Sequence, residues 1–175
     1  MLEPLVQRFS QDQTLEPGQQ KILLEVLSHW MTGIMAAGFF LQLMVSLLLA
    51  RWWQALLYNQ GGFSREFHQL RLPRTLALIA VGVIGVIVLD AHIGSPLLDY
   101  LAMLLIAAYL LQGLALVHGL RAKIGASQGW LIAMYILLFI AVPHMVITLA
   151  TAGMADAWLD LRSRFGKSDS SGGAS

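Results

Sequence analysis

Residues 26–50 read VLSHWMTGIMAAGFFLQLMVSLLLA, 25 residues without an Asp, Glu, Lys or Arg, closed by Arg51. A helix crossing the hydrocarbon core of a bilayer needs about 20 mostly apolar residues. This stretch therefore predicts a crossing helix over about residues 30–50. Three further charge-free runs follow. Thr75–Leu89 lies between Arg74 and Asp90, and spans only if it continues past Asp90 to about residue 93. Tyr100–Leu120 lies between Asp99 and Arg121, and Ile124–Ala155 is 32 residues long. At ~1.5 Å per residue the last run measures about 48 Å, too long for one upright crossing and too short for two. One helix over about residues 130–151, bent near Pro143, is expected there, because proline lacks a backbone donor. The predicted fold class is all-α: a polytopic membrane protein with four transmembrane helices (about 30–50, 75–93, 100–120 and 130–151) plus amphipathic interfacial helices.

Composition agrees. The chain of 175 residues is 57% hydrophobic and 12% charged, where a soluble domain carries about 25% charged residues. Its 21 charged residues (11 basic, 10 acidic) fall in clusters between long uncharged runs. A soluble enzyme or a disordered chain is excluded on this pattern. A net charge of +1 gives no reason to expect nucleic acid as a partner. With no cysteine there are no disulfides, thiolate metal sites or cysteine nucleophiles. All five tryptophans, Trp30, Trp52, Trp53, Trp130 and Trp158, sit at or beyond the ends of the expected spans, as in an interfacial aromatic belt.

Residues 1–29 read as a polar-to-amphipathic segment without the basic start of a cleaved signal. Thr14 is a suitable cap for a helix that begins near Leu15 and runs into the first span. Residues 156–165 form a juxtamembrane segment, and residues 166–175, rich in Ser and Gly, read as a disordered tail. Lys and Arg are retained on the cytoplasmic side of short loops. The 51–74 loop carries Arg51, Arg65, Arg71 and Arg74 against Glu66, and the third loop carries Arg121 and Lys123. The second loop carries Asp90 and Asp99, and the N-terminal segment two bases against four acids. That places loops one and three inside. Arg162, Arg164 and Lys167 would then face outward after four crossings. Either the tail is an exception, or the second or last helix does not cross fully.

The loop RWWQALLYNQGGFSREFHQLRLP, residues 51–73, is the most informative stretch. The first helix is expected to run on to Tyr58 and stop at Asn59–Gly62. Ser64 would cap a short helix ending before Pro73. Phe63, Phe67 and Leu70 recur at helical spacing, with Arg65, Glu66, Gln69 and Arg71 opposite. Two readings stay open: a helix in the headgroups whose arginines touch anionic lipid, or a docking surface for a cytoplasmic partner. Arg51, Trp52, Trp53, Arg65, Phe67 and Arg71 are the candidate contacts in either case.

This loop, the segment LQGLALVH at 111–118 and the ending GMADAWLDLRSR at 153–164 together resemble the YybS-like family, uncharacterised bacterial membrane proteins that carry a domain of unknown function. The resemblance covers nearly the whole chain but only the C-terminal half of a longer member, and so implies a fragment or an internal start. It also implies a multi-pass protein of the bacterial inner membrane with no established activity. The family is distantly similar to substrate-binding subunits of energy-coupling-factor vitamin transporters and to cell-shape membrane proteins.

Ionisable and amide groups at membrane depth are costly, and each is a functional candidate. Asp90, His92 and His144 fall at similar expected depth and could relay protons or hold a metal. They could equally sit in the outer headgroups, with His144 bonding a carbonyl freed near Pro143. His118 ends the third span near Arg121 and Lys123, and Gln112 lies within that span. Gly33/Ala37, Ala115/Gly119 and Gly82/Gly85 are small-residue pairs suited to close helix packing. No nucleophile–base or metal motif is legible, so no cofactor is expected. The expected function is a non-enzymatic membrane scaffold or partner subunit, with the bilayer and a second membrane protein, or a second copy, as partners. The alternative is a small-molecule uptake component.

Overall fold

The computed structural model describes residues 17–89 and 96–164, and these are all-helical apart from short connections. The helices are α1 Pro17–Tyr58, α2 Gly62–His68, α3 Arg74–Val88, α4 Pro96–Ile124, α5 Gln128–Ile140, α6 Val142–Leu159 and α7 Leu161–Arg164. Two of them are long and apolar enough to cross a membrane, α1 over Leu24–Tyr58 and α4; α3 and α5 are shorter apolar helices.

Local chemistry sets the boundaries. α1 stops where Asn59 N–H bonds the Ala55 carbonyl and Gly61 turns left-handed at φ +79°, a conformation glycine adopts without a Cβ clash. Gly61, rather than Ser64, stands at the cap of α2. Pro73 holds extended backbone at φ −65° and ψ 149° and offers its carbonyl to the amides of Leu76 and Ala77, which opens α3. α4 closes at Gly125, also left-handed, with Ala126 N–H returning to the Arg121 carbonyl.

α4 is the hub. α1 runs beside it in the same direction: His29 meets Asp99, Gly33 meets Tyr100 and Met103, and Leu41 packs on the cluster of Leu110, Met134 and Leu149. α3 runs the opposite way. Ala77, Ala80 and Val83 pack with Ala102, Leu105 and Tyr109, and alanine at the contact lets the helices approach closely. α6 runs parallel to α4, crossing it at two glycines. A Cβ on Gly113 would overlap the Leu149 carbonyl, and one on Gly153 the carbonyl of Tyr109. Further along both helices, Lys123 Nζ donates to the Arg162 carbonyl.

The stretch expected as one bent helix over 130–151 is two helices. α5 ends at Ile140, Ala141 breaks the ladder at φ −117° and ψ 49°, and Pro143 stands in the first turn of α6. α5 ascends against α4, so that Tyr135 reaches His118. α6 then descends alongside α4. The chain thus returns to the end from which α5 started: Arg121 bonds the Ala126 carbonyl there, and Lys123 bonds that of Arg162. Pro143 was a true marker of the break. It carried no sign of the reversal, which packing on α4 imposes.

Outside these contacts the surface is apolar. Ile34, Phe39, Leu43 and Leu47 on α1, Val88 on α3, and Ile132, Phe139 and Ile140 on α5 are all exposed. Of the small-residue pairs read from sequence, Gly33 and Gly119 lie against neighbours, Gly33 under Met103 and Gly119 under the His68 backbone. Gly82 and Gly85 face open space.

The two crossing glycines therefore limit how close α4 and α6 can come. Gly113→Val or Gly153→Val is expected to cost about 1–3 kcal/mol by overpacking, read as a lowered thermal midpoint of the protein in detergent. Gly82→Ala should leave the midpoint unchanged or raised, since alanine favours helix by about 0.5–1 kcal/mol. Wild-type melting of Gly153→Val would refute the crossing.

Candidate functional site

The connection between α2 and α3 is extended, and its backbone groups need partners from elsewhere. Gln69 and Leu70 bond back to the Glu66 and Phe67 carbonyls. Leu72 N–H donates to Gln112 Oε1 at 3.0 Å. Arg162 donates one guanidinium nitrogen to the His68 carbonyl and the other, at 2.9 Å, to the Leu70 carbonyl. Pro73 has no N–H to satisfy. Side chains from α4 and α7 thus hold the connection.

Gln112 is fully buried and sits in α4 between the connection and α6, where its amide nitrogen donates to the Gly153 carbonyl at 2.8 Å. Asp156 lies one turn further along α6 with a fully buried carboxylate. Arg162 Nε is 3.1 Å from Asp156 Oδ2, in ionic contact but off the line of a hydrogen bond, and Arg71 stands 3.6 Å from Oδ1. Arg71 also bonds Asp160, and Arg74 Nε donates to the Ala157 carbonyl at 3.3 Å. Asp160 is left-handed at φ 47°, which Asp tolerates better than most residues. That turn brings Arg162 back beneath the connection. The result is a polar clasp of Arg71, Gln112, Asp156, Asp160 and Arg162 that ties the first loop to the end of α6.

The charges follow from these partners. The hydrogen bond from Arg71 holds the Asp160 carboxyl below its ordinary range, helped by the Arg71 charge and by Ser163. Burial lowers His68 first, and the neighbouring charges of His118, Arg162 and Arg121 lower it further. At the rim, Arg51 pairs with Glu66 (Nε to Oε2, 2.7 Å) and reaches Gln54. The Arg51 hydrogen bond lowers the Glu66 carboxyl.

A cavity of about 490 Å³ opens beside the clasp, lined by Arg65, His68, Arg71, Lys123, Asp160 and Arg162 among others. Of the residues singled out from sequence, Arg65 and Arg71 line it, and Gln112 belongs to the clasp. Phe67 stacks on Phe63 and meets His118 edge-on. His118 Nδ1 donates to the Leu114 carbonyl, so its Nε2 accepts from Tyr135. Trp52 and Trp53 are exposed on the outside of α1. His144 is exposed on α6, and its carbonyl accepts from Thr148. Asp90 and His92 lie outside the described residues. Among the described residues no three His, Cys, Asp or Glu side chains gather as metal ligands. Asp156 and Arg162 were not singled out as site residues, although the GMADAWLDLRSR ending contains both.

No family model, no curated protein and no solved structure matches the chain.

Removing one partner of a buried ion pair strands the other, at about 3–5 kcal/mol. Arg162→Met is expected to lower the thermal midpoint far more than Arg164→Met, because Arg162 is 7% exposed and Arg164 is exposed. Adding Asp156→Leu to Arg162→Met should recover part of the loss. Equal melting of the two arginine variants would contradict the clasp.

Proposed function

We propose that the chain is a multi-pass protein of the bacterial inner membrane, of YybS-like kind, and serves as a non-enzymatic scaffold or partner subunit for another membrane protein. The observation that carries this reading is α1. Its apolar stretch is only 6% buried within the chain, and water would leave that surface uncompensated. Lipid, or an apolar helix of a partner, would cover it.

In this reading α1, α3 and α4 cross the bilayer, and α5–α6 is a re-entrant pair, in place of a fourth crossing. Two arguments favour it. The start of α5 and the end of α6 both lie at the clasp end of α4. The bases of the 51–74 loop, Arg121, Lys123, Arg162 and Arg164 then share the cytoplasmic end, which removes the conflict that four crossings created. Scaffolding is preferred over uptake because Gln112, a buried polar group that a substrate could have used, has both ends of its amide engaged inside the chain.

Purification from native membrane in mild detergent, with mass spectrometry of all that stays bound, tests the scaffold. A stoichiometric membrane-protein partner is the expected result. A bound metabolite without a protein partner would overturn scaffolding in favour of uptake.

A further inference from the structure

We infer that the cavity beside the clasp binds a phosphate group, carried either by the headgroup of an anionic phospholipid or by free phosphate. The inference rests on the membrane reading above, which places this cavity at headgroup level. Four cations line it, Arg65, Arg71, Lys123 and Arg162, against one carboxylate, Asp160. That carboxylate is already engaged by Arg71. Arg162 is engaged as well, by the Asp156 charge and two loop carbonyls.

The charge left over belongs to Arg65 and Lys123. Lys123 uses one of its three donors, on the Arg162 carbonyl. Arg65 pairs with no carboxylate among the described residues, and its neighbour Glu66 is taken by Arg51. Two cations, one from α2 and one from the end of α4, line a space of about 490 Å³. Ligand sites commonly measure about 300–1,000 Å³. Ala122 on the wall contributes almost no side chain, which keeps the space open. The walls come from α2, α4 and the α6–α7 turn, whose backbones the clasp and Lys123 tie together before a ligand arrives. Phosphate suits them: it presents several acceptor oxygens with negative charge, and both guanidinium and ammonium donate to it well.

The test is native mass spectrometry of the full chain in mild detergent, titrated separately with phosphatidylglycerol, phosphatidylcholine and inorganic phosphate. Retention of phosphatidylglycerol but not phosphatidylcholine is expected if the source is lipid. Retention of inorganic phosphate with equal strength would identify free phosphate as the source. In either case Arg65→Gln with Lys123→Gln, which leaves every clasp contact between side chains in place, should weaken retention about thirtyfold, at about 1 kcal/mol for each base near an anionic surface. Arg164→Gln, a base outside the cavity, should change it little. Equal retention of both lipids without phosphate binding would overturn the site. So would a double variant that binds like wild type, or an equal loss in Arg164→Gln. A chain that stays monodisperse without detergent would overturn the membrane reading itself, whereas the other failures leave that reading standing.

Discussion

The arrangement depends on one buried charge contact, Arg162 with Asp156, and on the two loop carbonyls that Arg162 holds at the same time. A carboxylate without exposed surface is tolerated only beside a compensating charge. A guanidinium has five donors in a planar fork, and here the fork faces a carboxylate on one edge and backbone carbonyls on the other. The extended connection after α2 would otherwise leave the His68 and Leu70 carbonyls without these partners. Arg162 therefore joins two needs, the charge of α6 and the unpaired backbone of the first loop. Through it, segments 92 and 94 residues apart in sequence are fixed at one end of the helices.

The rest of the packing is consistent with helices that meet in an apolar medium. There the exclusion of water supplies little attraction between helices, and close van der Waals approach has to serve instead. Gly113 and Gly153 bring the α4 and α6 backbones together, and Ala77 and Ala80 do the same for α3. The polar contacts gather chiefly at the clasp end, while large apolar side chains cover the flanks of α1, α3 and α5. At the other end His29 and Asp99, 2.9 Å apart, hold α1 against α4.

Much of this was legible from residues alone. The turn at Gly61, the start of α3 after Pro73 and the interruption near Pro143 all follow from backbone chemistry local to those positions. Gln112 was legible too, as an amide in an apolar run that must find partners, and it is buried with both ends of its amide bonded. The clasp was not. Asp156, Asp160 and Arg162 follow an apolar run and read as a solvated juxtamembrane stretch, because their burial is decided by a loop far away in sequence. The left-handed turn at Asp160 has no glycine to announce it. Gly113 escaped a search for paired small residues because Tyr109 and Val117 flank it at four-residue spacing. The reversal at Ala141 escaped because a proline marks a missing donor and not a direction. The cluster of Asp90, His92 and His144 was read from depth alone, and two of its three members lie outside the described residues.

The central claim is that the end of α6 returns to the first loop. The chain contains no cysteine, so a pair introduced as Gln69→Cys and Ser163→Cys, both of which line the cavity, can be oxidised in native membranes without background. The account predicts efficient intramolecular cross-linking of this pair, and none between Ser163→Cys and Leu97→Cys near the start of α4. Failure of the first pair to cross-link, with both positions accessible to a thiol reagent, would contradict it.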